Sequence, residues 1–470
     1  MFYDKKFKVL LVNPNYSYST GGIWRSVTSI MPPLGLAWLA ASLEQHDCPV
    51  TIRDFSAEGH DLAEDLQYLG TQQYECLGIS MTTPQVNPGL KIAEESKKYH
   101  PQALVIAGGV HPTVMPDEIL SNEAVDIVVR GEGEQTLQEI VSGAPLEDIQ
   151  GISYKADGRF VHNPDRPVVE KLDDLPDPAY HLLPVSKYFP AVGSYKKLPA
   201  ISMLGTRGCP GQCTYCHRQL GKRVRTRSGR RIAAEAKRLH DNYGINEICF
   251  YDDTFTVIHK EVYSFIEALK EYDLSLSWSC FSRVDSVDYP LLKAMADSGC
   301  HQIMFGVESA NKEILKTIKK NITMEKVEKA VRDAQKAGME VRVSLMLGNP
   351  GETKETIMDT IKFVNKLNPD LAIYNTTTPY PGTEMYKWAD ENDYLLTKDW
   401  DKYDLRHPVM ALPTISIQEL AKLYTYAYNR FYWRPRYLLK RLAMLRSGND
   451  LVNAFKGVKA IVMNQFDKTS

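Results

Sequence analysis

The sequence predicts an α/β fold in two parts, followed by a helical C-terminal segment. Three observations carry this. Two separate series of short β-branched runs alternate with helical patterns, and the runs of the first series end in Gly, Thr, Asp or Pro. The chain has 470 residues, too many for one core. Alternating βα units imply parallel strands with helices packed on the sheet faces. Hydrophobic residues make up 43% and charged residues 24%, the balance of an ordinary soluble protein. A net charge of -2 sets up no global field for nucleic acid or an anionic membrane. No run is long and apolar enough to span a bilayer. The N-terminus passes from a charged start straight into a strand-like run and lacks a signal-peptide pattern, so the cytoplasm is the expected compartment.

The first series opens with Lys8 to Pro14, a short apolar run closed by proline. Leu34 to Leu43 has helical composition and follows Pro32-Pro33, a good helix start. Four more strand candidates follow: PVTIRDF, CLGISMTT, ALVIAGGV and DIVVRGEGE, with a helical pattern at Pro88 to Tyr99. In open parallel sheets ligands sit at the carboxyl ends of the strands. Those ends carry Asn13-Pro14, Asp54, Thr82-Thr83, Gly108-Gly109 and Gly131 to Glu134. From Gly151 the pattern weakens into a hairpin turned at Asp157-Gly158, then a Pro- and Asp-rich connection. The second series has six strand candidates: AISMLGT, EICFYDD, LSWSCFS, QIMFGVES, EVRVSLMLG and LAIYNTT. Helical patterns at Arg230 to Tyr243 and Lys354 to Leu367 lie between them. Six βα units suit a partial (β/α)6 barrel with its active site at the strand carboxyl ends. The remainder, from about Trp388, reads as helical, aromatic and basic.

Eight cysteines are present, and five are scattered, mostly within apolar runs, as small buried hydrophobes would be. The other three, Cys209, Cys213 and Cys216, share one loop after the first strand of the second series. A four-iron cluster has four corners, so three thiolates leave one iron open. Pro210 and Gly211 let the chain wrap a bulky cluster. The competing reading is a zinc site with His217 as fourth ligand, but adjacent Cys216 and His217 side chains diverge and no second cysteine pair lies nearby.

This spacing, with Tyr215 before the third cysteine, resembles the signature of the radical S-adenosylmethionine family. Tyr251 to Phe255, Gly306 to Ser309, Gly348 to Thr353 and Pro379 to Thr383 resemble its subgroup with an N-terminal cobalamin-binding domain, as do Gly108 to Thr113 and Gly131 to Glu134. The match covers nearly all of residues 8 to 390. It implies a Rossmann-like cobalamin-binding domain over 1–145, a linker with a hairpin over 146–195, a TIM-like barrel over 196–390 and a helical segment over 391–470. It also implies a [4Fe-4S] cluster on Cys209, Cys213 and Cys216. Tyr215, Asp252, Glu308, Arg342, Ser344 and Pro379 are then expected around S-adenosylmethionine, with Arg342 on its carboxylate. Arg342, Ser344 and Met346 share one parity, so an outward-facing strand would remove both Arg342 and Ser344. Asn13, Thr82, Thr83, Gly108, Gly109, Val110, Gly131 and Glu132 are expected around cobalamin. The implied reaction is methyl transfer to an unactivated carbon of a small, hydrophobic molecule. One S-adenosylmethionine would methylate the cobalamin, and a second would be cleaved reductively to a hydrogen-abstracting 5′-deoxyadenosyl radical, with electrons from an external donor. An anaerobic oxidative cyclase and a non-catalytic cobalamin or redox sensor are the alternatives.

Plainer readings compete at several residues. Asp252-Asp253 fits a helix N-cap. Gly348 to Gly351 fits a tight turn, with Glu352 favouring the next helix N-terminus. Arg283 and Arg342 both fit solvated strand-end charges. His60 reads as a surface loop residue and His111 as structural, and the loop Asn15 to Arg25 holds no histidine to ligate cobalt. Arg430 to Arg446 reads as a helical lid, or as a peripheral membrane contact through Arg436, Lys440 and Arg441.

Overall fold

The structure is a computed structural model and describes residues 7–15, 29–191, 193–405, 407–435 and 437–439. Each strand candidate forms. The first sheet contains β1 (Val9–Asn13), β2 (Val50–Asp54), β3 (Cys76–Ser80), β4 (Leu104–Gly108), β5 (Ile127–Val129), β6 (Ile152–Ala156) and β7 (Arg159–His162). Its order is β2-β1-β3-β4-β5-β6-β7. The first five are parallel, and the chain reverses its direction of travel across the sheet between β1 and β3. The hairpin does not belong to a linker: β6 pairs antiparallel with β5 and extends the sheet past residue 145. The free edge of β5 is satisfied this way.

The second sheet begins at β8 (Ala200–Met203). A two-stranded ladder of β9 (Thr206–Arg207) and β10 (Arg225–Thr226) closes the loop after it. β11 (Glu247–Phe250), β12 (Ser277–Ser282), β13 (Cys300–Glu308), β14 (Glu340–Leu347) and β15 (Leu371–Thr376) complete it in the order β15-β14-β13-β12-β11-β8, all parallel. Between strands and helices lies the main core. Val341, Val343 and Leu345 point into it and are fully buried. Arg342 and Ser344 therefore face the other side, the barrel lumen.

The helix Leu34–Glu44 is apolar all round because both its faces are covered. Leu36, Ala40 and Leu43 pack on the first sheet, while Leu34, Ala37 and Trp38 join the barrel core. The segment after the barrel corrects the sequence reading. Helix Glu384–Glu391 ends early, and the chain from there to Ser416 is largely irregular. It is anchored nonetheless: Trp400, Tyr403 and Val409 pack into the first domain's core. Helix Ile417–Tyr432 then covers β15. The Tyr428 hydroxyl accepts from Tyr374 N and donates to Tyr374 O (3.3 and 3.1 Å), and Tyr432 does the same at Ala372 (3.3 and 2.8 Å). Two phenols thus stand in for a neighbouring strand at the barrel's open edge. Lys440, Arg441 and the rest of the basic tail, and the side chain of Arg436, lie outside the described residues.

Candidate active site

The carboxyl ends of β1, β2 and β3 meet at the switch point of the first sheet, where ligands bind in this topology. Asn13 Nδ2 donates to Asp54 Oδ1 (2.8 Å), and Gln85 Nε2 donates to Asn13 Oδ1 (2.9 Å). Gln85 Oε1 accepts from Thr82 N and Oγ1 (3.0 and 2.7 Å). Tyr188 donates to Asp54 Oδ2 (2.9 Å), and burial raises the Asp54 carboxyl above its usual range. Asn13 and Thr82 are thereby held together, with Thr82 exposed. Thr83 is buried against His111 (3.3 Å), which also lies 3.4 Å from Glu118 and beside Trp400. His111 is structural. Gly108, Gly109 and Val110 follow β4 and are part-exposed. Gly109 has φ +98°, and a Cβ there would stand 2.8 Å from Met81 O, so only glycine lets this loop lie flat on its neighbour. His60 is 38% exposed and stands 3.3 Å from buried Asp65.

The Glu132 reading is corrected. Its carboxylate faces the barrel domain, where Arg225 donates to both oxygens (2.9 and 2.9 Å) and Arg207 to Oε1 (3.0 Å). Glu134 takes the second Arg207 nitrogen (2.6 Å), and Val169 N also donates to Glu132 (2.6 Å). All four charged side chains are buried. Glu132 joins the domains instead of facing the strand-end crevice, and Gly131 is left exposed above it.

Two residues beyond Arg207 the cysteine loop begins. Gly208 has φ +88°, and an added Cβ would collide with Arg223 O at 2.4 Å, so glycine is required where the loop leaves β9. Cys209 is part-buried, Cys213 buried and Cys216 exposed. A Cβ on Gly211 would lie 3.3 Å from Cys209 Sγ and 3.8 Å from Cys213 Sγ, so that glycine keeps the space between the thiols open. Arg283, pinned by Asp285 (2.8 and 2.9 Å), closes this side of the loop. Backbone bonds from Thr214 N to Ile318 O (3.1 Å) and from Met385 N to Thr214 O (2.8 Å) hold it from the barrel side. Among the described residues no three His, Cys, Asp or Glu side chains converge on a point that would hold a single metal ion.

Below the loop, Glu308 ends β13 with φ +66°, a left-handed conformation that strains a side-chain-bearing residue. Its carboxylate folds over Gly306 onto Lys320 Nζ (3.0 Å), and Lys320 also donates to Tyr215 Oη (3.3 Å). Burial opposes the Lys320 charge, yet Glu308 and the neighbouring thiols hold its pKa above the usual value. Tyr215 and Glu308 are thus brought together beside the cysteines. Lys320 was missed by sequence reasoning; it sits in an ordinary KKN turn with no local signal.

Asp252 is corrected. It is fully buried, and its Oδ1 accepts from Gly205 N (3.0 Å) and Thr206 N. Burial pushes its pKa up to about 6. It braces the chain entering the cysteine loop and has no surface left for a ligand; nor does it cap a helix. Glu352 likewise sits inside the turn after β14, accepting from Gly348 N and Asn349 N (2.7 and 2.9 Å), while Thr353 caps the helix. Pro379 is buried in the turn after β15, next to Tyr380, whose ring lies 6.5 Å from that of His217. Ser344 accepts from Asn375 Nδ2 (3.4 Å) in the lumen. Arg342 lies deeper, among Tyr251, Cys249, Tyr428 and Tyr432.

Comparison with known proteins agrees with this geometry. Residues 203–364 match the radical SAM superfamily model, and residues 22–141 match the B12 binding domain model. An uncharacterized methyltransferase, PH0819, of Pyrococcus horikoshii is 38% identical over 93% of this chain and 95% of its own. The chain belongs to the radical S-adenosylmethionine enzymes that carry an N-terminal B12-binding domain. The anaerobic magnesium-protoporphyrin IX monomethyl ester cyclase of Rubrivivax gelatinosus is 26% identical, covering 92% of this chain and 78% of that one. The cobalamin-dependent S-adenosylmethionine radical enzyme OxsB shares the fold, with TM-score 0.76 and 17% identity over 98% of this chain and 72% of that one. Among the described residues no helix is long and apolar enough to cross a membrane.

Proposed function

We propose that this enzyme methylates an unactivated carbon of a small molecule, using a [4Fe-4S] cluster, S-adenosylmethionine and cobalamin. One observation carries the reading: a three-cysteine loop at a barrel mouth is locked by buried ion pairs to Glu132 and Glu134 of a B12-type domain. When bound, these groups supply a reductively generated 5′-deoxyadenosyl radical and a transferable methyl group. Cys209, Cys213 and Cys216 hold the cluster, and Gly211 leaves room for it. Tyr215, with Glu308 held by Lys320, orients S-adenosylmethionine, the carboxylate suiting a cationic or hydroxyl-bearing part of it. Asn13, Thr82, Gly108, Gly109, Val110 and Gly131 form the cobalamin floor, with Thr83 supporting them from below. The Arg207–Glu132 contact keeps the two floors in register and helps exclude water. An external one-electron donor completes the reaction.

The test is anaerobic protein reconstituted with iron, sulfide and hydroxocobalamin, then supplied with a low-potential one-electron reductant, trideuteromethyl-S-adenosylmethionine and a metabolite extract as the source of methyl acceptor. Methyl transfer yields S-adenosylhomocysteine, 5′-deoxyadenosine and a trideuterated product. Formation of 5′-deoxyadenosine alone would replace this reading by oxidative cyclisation or another hydrogen abstraction, the direction in which the cyclase relative points.

A further inference from the structure

The barrel lumen is lined by side chains that no neighbour covers completely. Tyr251, Phe281, Met304, Ser344 and Ile373 all stay part-exposed, while the alternate residues facing the helices are buried. A filled barrel would bury both sets. Into this space one cation projects. Arg342 sits on β14 beside Met304 of β13 and Leu371 of β15. Its Nε is out of reach of solvent and has no hydrogen-bond partner. Among the described residues, the groups that act most strongly on the guanidinium are the phenols of Tyr251, Tyr428 and Tyr432 and the thiol of Cys249, none of them a carboxylate. Other deeply buried arginines have their acids: Arg207 and Arg225 have Glu132, and Arg227 has Asp177 and Glu235. An arginine left unpaired in an enclosed site costs several kcal/mol, because it is always charged. That cost is offset when an anion arrives.

We propose that Arg342 is the receptor for an anionic group, a carboxylate or phosphate, on the methyl-accepting substrate. The inference rests on the methyl-transfer reading and names its substrate class. The rest of the lumen fixes the remainder of that molecule. Tyr251 and Phe281 lie tilted against each other, 4.8 Å between centroids, and Met304 and Ile373 add apolar surface. The substrate is therefore amphipathic, an apolar or aromatic body with one acidic group. Its acidic end lies low in the barrel, so its other end points up towards Glu308 and the cysteine loop. A planar fork such as guanidinium binds either oxyanion through two parallel bonds.

The same chemistry exists on S-adenosylmethionine, whose own carboxylate is the rival occupant, and the experiment separates the two. Crystals of the reconstituted holoenzyme are soaked in bromide, with and without S-adenosylmethionine, for wild type, Arg342→Lys and Arg342→Gln. Expected is a bromide against residue 342 in wild type and Arg342→Lys, present in both soaks and absent from Arg342→Gln. Affinity for S-adenosylmethionine should change by less than about twofold in Arg342→Gln. Trideuterated products formed from a metabolite extract should be retained on an anion exchanger. Displacement of bromide by S-adenosylmethionine, with an affinity loss of about tenfold or more in Arg342→Gln, overturns the proposal. So does a wild-type lumen without bromide, or a neutral trideuterated product. Absence of any deuterium transfer beside a bromide at Arg342 counts against the methyl-transfer reading alone.

Discussion

Removing the Lys320 ammonium leaves the Glu308 carboxylate buried without its partner. Both side chains are about nine-tenths buried, so solvent does little to compensate. Breaking such a pair from one side costs about 3–5 kcal/mol. Lys320→Met should therefore lose about that much stability in urea unfolding, and adding Glu308→Gln should recover part of it. A loss typical of a surface lysine would refute the pairing. Glu352 makes a second prediction, on pH. Burial raises its folded pKa from 4.5 to about 7, so the folded state favours the protonated acid. That contribution is complete below pH 4.5 and disappears as pH rises through 7, a span of about 3 kcal/mol. Glu352→Gln keeps an oxygen for Gly348 N and Asn349 N and removes the titration. Its unfolding midpoint should fall less than that of wild type between pH 5 and pH 8 (parallel curves would exclude Glu352 as the source). Lys320 does not announce itself in the sequence, because it stands 12 residues from Glu308, in a turn.

At the level of elements the sequence spoke more clearly. Most strand runs end in Gly, Thr, Asp or Pro, and these are local signals that need no tertiary context. The hairpin was legible for the same reason, but its place in the first sheet was not, since that depends on which edge is free. The irregular run before Ser416 was misread because burial of Trp400 and Tyr403 against the first domain overrides helical composition. Two predictions belong here. Gly109→Ala places a Cβ against Met81 backbone at a φ suited to glycine, with strain of about 1–3 kcal/mol. Thermal unfolding should register that loss, and extracted cobalamin per chain should drop while iron is unchanged. The Tyr428→Phe, Tyr432→Phe pair deprives β15 of its hydroxyl partners. Each buried backbone group left unpaired costs about 1–3 kcal/mol, so amide exchange at Ala372 and Tyr374 should accelerate by orders of magnitude. Protection unchanged from wild type would mean that the edge is covered by something other than the phenols.

The two halves of the molecule are joined where their chemistry would meet. Arg207 reaches from the root of the cysteine loop to Glu132 and Glu134, 75 and 73 residues away, and its guanidinium lies 4.8 Å from the Trp38 ring centroid. Contacts over such separations are invisible to pattern reading, so Glu132 looked like a ligand residue when it is a fastener. A buried bidentate fork of this kind transmits orientation as well as stability, because its geometry is planar and fixed. Arg207→Met should cost about 3–5 kcal/mol, because it leaves Glu134 buried without its partner while Glu132 keeps Arg225. Arg207→Lys should not rescue it, since one ammonium cannot span both acids at their present positions. Each half has its own sheet, but Trp38 and Trp400 still bridge the cores, so the calorimetric transition of the variant should broaden relative to wild type. Iron and cobalamin should still bind, each to its own half. Uncoupled 5′-deoxyadenosine formation needs only the barrel half and should persist, whereas deuteromethyl transfer needs both halves in register and should fall steeply. Equal losses in the two products would show that Arg207 serves the cysteine loop alone and that register between the domains is set elsewhere.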